Sequence, residues 1–381
     1  METATRLYQQ CIHCILDTID DPYILFDQSR VCNYCHLYTQ EAAKLPSTDK
    51  LARQELNALV EQIKKEGKGG KYDCIMGLSG GVDSTYLALQ AKRLGLRPLA
   101  VHFDNGWNSE LAVKNIENIV SRLDLDLHTI VVEWDEFRDL QLAFIKASVI
   151  DIELPTDHAI LATMYSLALK YDIKYILSGH NIATELILPT NWYHDKLDHI
   201  HIKAISKGFG TIPLHTFPLL NSFKKFRLSW NRIKSARLLN FMHYNKVEVK
   251  KIIQNELGWR DYGGKHYESI FTRFYQGYIL VRKFKVDKRK AHLSNLICSG
   301  QVTREEALQE LNSPPYDPKQ FKEDYEFVLK KFNLTAKQFE DLMDAPIKKH
   351  SDFEIDKSIY DRYFILRLLS PFWKMLKKVR G

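Results

Sequence analysis

The sequence predicts an α/β protein: a doubly wound parallel sheet, preceded by a small cysteine module and followed by a mainly helical region. Three observations predict it. Apolar strand-like runs alternate with helical patterns between residues 71 and 215. Four cysteines are grouped as two C-x2-C pairs before that block. After residue 216 the strand-like runs thin out while Lys, Arg and Tyr accumulate.

The elements follow in order. A polar stretch at 47–66 has Leu51, Leu56, Leu59, Val60 and Ile63 on one helical stripe. The glycine- and lysine-rich run 64–71 breaks it. Residues 72–78 read as a buried strand, and 82–95 as a helix closed by Gly95. A second strand at 98–103 leads to a helix at 109–123. A third strand at 127–134 leads to helical segments at 135–148 and 156–170. A fourth strand at 174–179 is followed by a helix starting near 181. Farther on, Thr303–Glu306 and Thr335–Gln338 have the spacing of capping boxes. The expected divisions are 1–45, 46–70, 71–215, 216–345 and 346–381.

The chain of 381 residues is 45% apolar and 27% charged, which excludes a disordered or collagen-like protein. No apolar run is long enough to span a bilayer, and the first residues lack a signal pattern, so a cytoplasmic protein is expected. The net charge of +7 is unevenly spread. Residues 1–70 hold 8 Lys/Arg against 10 Asp/Glu, residues 71–215 hold 13 against 18, and the remainder 33 against 19. The C-terminal part thus favours anionic partners. The last twenty residues carry six Lys/Arg and no acid among aromatic and aliphatic side chains. They are a candidate for peripheral contact with the inner face of a membrane, for packing on the protein body, or for docking a partner.

Cys11, Cys14, Cys32 and Cys35 are spaced as two knuckles around a 17-residue gap. Two knuckles complete the tetrahedral thiolate site that Zn2+ prefers, and the gap reads as a small β-hairpin, giving a zinc ribbon with a structural ion. Haem attachment through Cys32–His36 would require export, and a redox dithiol accounts for one pair only. Cys74 reads as a core residue, and Cys298 lacks the surroundings of a nucleophile.

Directly after the first strand, Ser79-Gly80-Gly81-Val82-Asp83-Ser84 opens a helix. Its glycines bring amide N–H groups toward an anion, the helix N-terminus adds positive potential, and the serines can donate to phosphate. Asp83 suits Mg2+ held against phosphates. This is neither a Walker loop nor a dinucleotide fingerprint. His102, Phe103 and Asp104 end the second strand, and Gly179 and His180 end the fourth, at the edge where nucleotides bind. Pro155-Thr156-Asp157-His158 opens the intervening helix and is a further candidate for that cleft.

The SGGVDS loop resembles the PP-loop, or N-type ATP pyrophosphatase, superfamily, which implies cleavage of ATP between its α- and β-phosphates. The wider pattern resembles the N-acetyl sugar amidotransferase family, which makes acetamidino sugars for O-antigen or for flagellin nonulosonic acids such as pseudaminic acid. The resemblance rests on the two C-x2-C pairs, GLSGGVDS, VHFDNGWNSELAVKNI, LPTDHAI, SGHNIATE, GWRDYGGKHYESIFTRFYQGY and KFKVDKRKAHLSNLICSGQVTREEAL, spanning about 10–345. It implies ATP and Mg2+, an adenylylated amide oxygen, and ammonia attack to give an amidine.

The second specific segment clusters Lys265, His266, Glu268, Arg273 and Arg282. The third clusters Lys288, Arg289 and His292. Lys265 and Arg273 are the expected catalytic cations beside Asp83, and the substrate would be a nucleotide-linked N-acetyl sugar. Tyr275, Tyr278 and Phe284 have core spacing, and Gly263-Gly264 fits either a ligand approach or a turn. The chain has no glutaminase signature, so the resemblance implies a separate HisH-like glutaminase with a HisF-like companion as ammonia conduit. Two other readings stand: a tRNA-modifying enzyme of the same superfamily, thiolating or lysidine-forming, and a non-enzymatic zinc-ribbon nucleic-acid binder.

Overall fold

A computed structural model describes residues 7–264 and 267–356. Lys265 and His266 therefore lie outside the described residues, as does the basic tail from residue 357.

Five parallel strands, β1 (Cys74–Gly77), β2 (Pro98–Asp104), β3 (Asp126–Val131), β4 (Tyr175–Leu177) and β5 (Lys234–Ala236), form one sheet in the order β3-β2-β1-β4-β5. The order reverses beside β1, so the turn leaving β1 opens into the crevice of a doubly wound sheet. β1 is buried on both faces, as a central parallel strand must be.

Helices α1 (Asn33–Ala42) and α2 (Asp49–Glu66) precede the sheet. Thr48 caps α2 by accepting from the Leu51 amide, and Leu56, Val60 and Ile63 face the core as the stripe predicts, whereas Leu51, in the first turn, is exposed. Between strands run α3 (Val82–Arg93), α4 (Glu110–Leu123), α5 (Trp134–Ala147), α6 (Leu154–Lys170), α7 (Ile182–Glu185), α8 (His199–Phe209) and α9 (Ser222–Trp230). After β5 come α10 (Lys246–Leu257) and α11 (Ile270–Phe274). A π-helical segment, Tyr275–Phe284, follows, and then α12 (Lys288–Cys298), α13 (Arg304–Leu311), α14 (Pro318–Phe332) and α15 (Ala336–Asp344). Both predicted capping boxes form, at α13 and α15.

Several expectations are corrected. The third strand stops at Val131 because Glu133 caps α5, accepting from the Asp135 and Glu136 amides. The sheet continues past residue 215: β5 pairs with β4, and Val249, Ile253 and Leu257 of α10 join the core formed by β1 and α3. Three residues of edge strand carry too little periodicity to be seen beforehand. Among its described residues the cysteine module has no hairpin ladder. Two isolated antiparallel bridges, Gln10 with Asp17 and Phe26 with Cys32, suffice, and the second knuckle runs directly into α1.

That module is docked on the C-terminal helices. Arg304 donates to the Cys14 and Cys11 carbonyls, Lys290 pairs with the buried Asp17 and Asp20, and the Trp192 indole donates to the Asp20 carbonyl. Among the described residues, no helix is long and apolar enough to cross a membrane.

Candidate active site

The loop leaving β1 is shaped by its glycines. Gly80 has φ of +77°, and a Cβ there would lie 2.9 Å from the Ala112 carbonyl oxygen, so no other residue fits. Gly81 is the N-cap of α3. Its amide donates to Ser79 Oγ at 3.2 Å, and Ser79 Oγ lies 3.2 Å from Ser84 Oγ. The two hydroxyls and the helix N-terminus thus face one space.

Distant segments hold this loop. The buried Trp259 indole donates to the Gly80 carbonyl. Asn115 of α4 pairs with both the amide and the carbonyl of Arg260. An antiparallel bridge of Asn108 with Ser269, with the Ser109 amide donating to the Glu268 carbonyl, brings Glu268 beside Gly81. Tyr244 donates its hydroxyl to Asp83 in the first turn of α3. Burial, then the Asp83 charge, pushes the Tyr244 phenol up, so it remains a donor. Burial and the nearby Glu268 do the same to Tyr262.

Above the loop lies a cavity of about 200 Å³ walled by Ser79, Gly81, Val82, Asp83 and Ser84, together with Gly179 and His180 from the end of β4. The end of β4 lies against the first turn of α3: a Cβ at Gly179 would stand in ordinary contact with the Asp83 backbone, at 3.4 Å. A second cavity, of about 600 Å³, adjoins it. His180, Thr184, Glu185, Lys246, Lys250, Gly264 and His292 line both. Its far wall carries Gln276, Gly277, Lys288 and Arg289. Gln276 and Gly277 sit on the π-helical segment, a rare geometry often found where side chains must be re-aimed.

The cations of this region differ in freedom. Lys246 Nζ is 2.9 Å from His292 Nε2, so the ammonium donates and the imidazole accepts. Lys250 pairs with Asp261 at 2.6 Å. Arg289 is turned to Asp287 and the Ser313 carbonyl. Burial lowers the Lys288 pKa, against the opposing charge of Glu153.

Not every expected residue reaches the cavities. Arg273 is corrected: its guanidinium is buried, bonds both oxygens of Asp324 at 2.6 and 2.9 Å, and stacks over Tyr267. A guanidinium so engaged is an anchor for α14, and it lines neither cavity. Arg282 likewise pairs with Glu340 and Asp344. His158 is also structural, held between the Lys196 carbonyl and the Leu220 amide, while Asp157 pairs with Lys196. His102 contacts the Leu78 carbonyl and Asn108, and Asp104 caps the turn at Gly106. Phe103 faces a separate apolar cavity of about 510 Å³. None of these three lines the loop cavity. Tyr244, Lys246, Lys250 and Tyr262 were not anticipated. The i, i+4 lysines at the start of α10 were the available signal.

The four module thiols are buried and converge. Cys11–Cys35, Cys14–Cys32 and Cys32–Cys35 sulfur distances are 3.8, 3.6 and 3.6 Å. Tetrahedral bonds of about 2.3 Å to Zn2+ require sulfurs about 3.8 Å apart, so the set fits that ion. The Cys14 and Cys32 amides donate to Cys11 Sγ, which stabilises a thiolate there. Cys298 Sγ lies 3.8 Å from Cys35 Sγ at the edge of this cluster.

Residues 73–181, from β1 to the end of the β4 turn, match the model of the queuosine biosynthesis protein QueC. Residues 268–368 match that of the LPS biosynthesis protein WbpG-like, C-terminal domain. The sheet block is thus similar to QueC, and the C-terminal segment to the WbpG-like domain. The WbpG-like segment begins at Glu268, which touches the loop, and supplies Gln276, Gly277, Lys288, Arg289 and His292 to the second cavity. A protein of Methanocaldococcus jannaschii described as uncharacterized is 24% identical over 316 residues, covering 80% of this chain and 94% of its own. Among solved structures, the NMN synthetase of Francisella tularensis aligns at 15% identity with a TM-score of 0.33, over 80% of this chain and 99% of its own. The NH3-dependent NAD synthetase of Campylobacter jejuni aligns at 16% identity with a TM-score of 0.31, over 56% and 94%.

Proposed function

We propose that this protein is an ATP-dependent amidotransferase that converts the N-acetyl group of a nucleotide-linked sugar into an acetamidino group. One observation carries the reading: the anion-binding loop cavity opens directly into a larger, basic cavity walled by the WbpG-like segment. A nucleotide phosphate chain suits the first and a phosphorylated sugar suits the second.

An acetamido carbon is a poor electrophile because its nitrogen donates into the carbonyl. In the proposed reaction the amide oxygen attacks the α-phosphorus of ATP, and the bond to pyrophosphate breaks. Ammonia then adds to the activated carbon, the carbon–oxygen bond breaks, and AMP leaves with the former amide oxygen. The loop amides and hydroxyls of Ser79 and Ser84 hold the departing pyrophosphate. Asp83, with Glu185 and Glu268 in the same wall, is the residue to hold Mg2+, which neutralises charge on the phosphates. Lys246 and Lys250 face both cavities and stabilise charge passing between them. Glu268 can accept the proton that ammonia sheds. Ammonia would come from a separate HisH-like glutaminase.

The thiolating alternative needs a sulfur-carrying cysteine at the loop. Cys74 is wholly buried, Cys298 sits against the thiol cluster, and among the described residues no cysteine lines either cavity. The test is incubation with ATP, Mg2+, ammonium and a panel of UDP- and CMP-linked N-acetyl sugars, with mass spectrometry of products. A sugar nucleotide lighter by the difference between O and NH, formed with AMP and pyrophosphate, supports the reading. Pyrophosphate release only on adding tRNA overturns it.

A further inference from the structure

Helix α9 turns its aromatic face outward. Leu228 is its buried residue, whereas Phe223, Phe226 and Trp230 are 68%, 63% and 78% exposed. Their i, i+3, i+7 spacing confines them to an arc of about 60°, and Leu228 lies on the opposite side of the helix. The Phe226 and Trp230 rings are in contact, with centroids 6.3 Å apart. The segment's own charge has one sign, although Lys225 pairs with Asp356 and Lys234 with Glu66 from other elements. From Ser222 to Lys234 the chain has Lys224, Lys225, Arg227, Arg232 and Lys234 and no Asp or Glu. Arg227 and Arg232 are exposed and form no ion pair among the described residues.

We infer that α9 is a membrane-surface contact that sets its three aromatics into the interfacial zone of an anionic phospholipid bilayer, with Arg227 and Arg232 on the headgroups. An apolar stripe rimmed by basic side chains is the pattern that such surfaces bind. Charge complementarity selects this occupant: a neutral apolar groove would accept the rings but would leave Arg227 and Arg232 without counterions.

The test uses the full chain and co-sedimentation with vesicles of phosphatidylglycerol in phosphatidylethanolamine, against vesicles of phosphatidylcholine alone. Binding to the anionic vesicles is expected, weakening with salt. R227E/R232E weakens it at least about tenfold, since each basic residue at such a surface is worth about a factor of five. F223S/F226S/W230S abolishes it, and both variants, altered only at exposed positions, melt with the parent. Quenching of tryptophan emission by brominated lipid disappears in W230F. The proposal is overturned if the parent ignores anionic vesicles, or if the α9 variants bind like the parent while K374E/K377E/K378E does not. It is also overturned if the aromatic variant instead dissolves a dimer seen by sedimentation.

Discussion

The Trp259 indole donates a 2.8 Å hydrogen bond to the carbonyl of Gly80, tying the phosphate loop to a side chain 179 positions downstream. The loop's backbone is therefore set by the segment that walls its cavity. W259F keeps an aromatic ring but removes the donor and part of the indole's volume, leaving a buried carbonyl unpaired at a cost of about 1–3 kcal/mol in addition to the void. A rise of about fivefold or more in KM for ATP is expected, with a Tm a few degrees lower. G80A is more severe, because the residue needs a positive φ and a Cβ would press on the Ala112 carbonyl. Thermal melts and ATP kinetics of both variants check this.

Asp83 and Tyr244 act as a pair. D83N is expected to reduce kcat about 100-fold or more while leaving Tm within a few degrees, as for groups that stabilise charge only in the transition state. Y244F removes one hydrogen bond to Asp83 and costs about fivefold to tenfold in kcat/KM. Raising Mg2+ should partly rescue Y244F and leave D83N unchanged. Steady-state kinetics across a Mg2+ series checks both.

Lys246 and Lys250 stand one helical turn apart on the wall common to the two cavities. Removing a charged donor to phosphate costs about 1.5–3 kcal/mol, or roughly 10- to 100-fold. K246A and K250A should show that loss in kcat/KM. Arginine at 250 should restore most of it, since the partner Asp261 accepts either cation. R273K is the contrast: it should lower stability through the Asp324 pair and leave KM for ATP unchanged.

The cysteine module predicts one zinc per chain by elemental analysis. C11S or C32S should lose the metal and lower Tm by several degrees, because the site also anchors the surface received by Arg304 and Lys290. C298S should keep the metal.

Acid stability has a defined window. Burial depresses His158 and His201 to about 4 and His350 to about 3, from an ordinary value near 6.5. The His201 and His350 rings also bond each other at 2.8 Å beside His194, Asp198, Asp151 and Lys196. The unfolded chain binds these protons first as pH falls, so stability is full above about pH 6.5 and declines toward pH 4. His158 and His201 each contribute at most roughly 3 kcal/mol, and His350 at most roughly 5 kcal/mol. Urea unfolding between pH 7.5 and 4.5 should show this decline, and H201Q should flatten its slope.

The alternating block was legible because its signals are local. Strand, SGGVDS loop and helix follow within twenty residues, and Gly80 occupies a position whose positive φ requires a glycine. The thiol cluster was legible from spacing alone. What sequence could not convey was tertiary choice. Arg273 looked free for substrate, but Asp324, 51 residues away, neutralises it. His158 looked like part of a cleft, but the Lys196 carbonyl and Leu220 amide consume both its nitrogens. Tyr244 and Tyr262 reach the loop only because α10 and the following turn fold back over α3 and α4.

The most direct test follows the amide oxygen. The protein would be supplied with ATP, Mg2+, ammonium and a UDP-linked N-acetyl sugar labelled with 18O in the acetamido carbonyl. The account predicts that the label leaves the sugar and appears in AMP, one oxygen per amidine formed. AMP without label, or an unaltered sugar alongside pyrophosphate release, would contradict it.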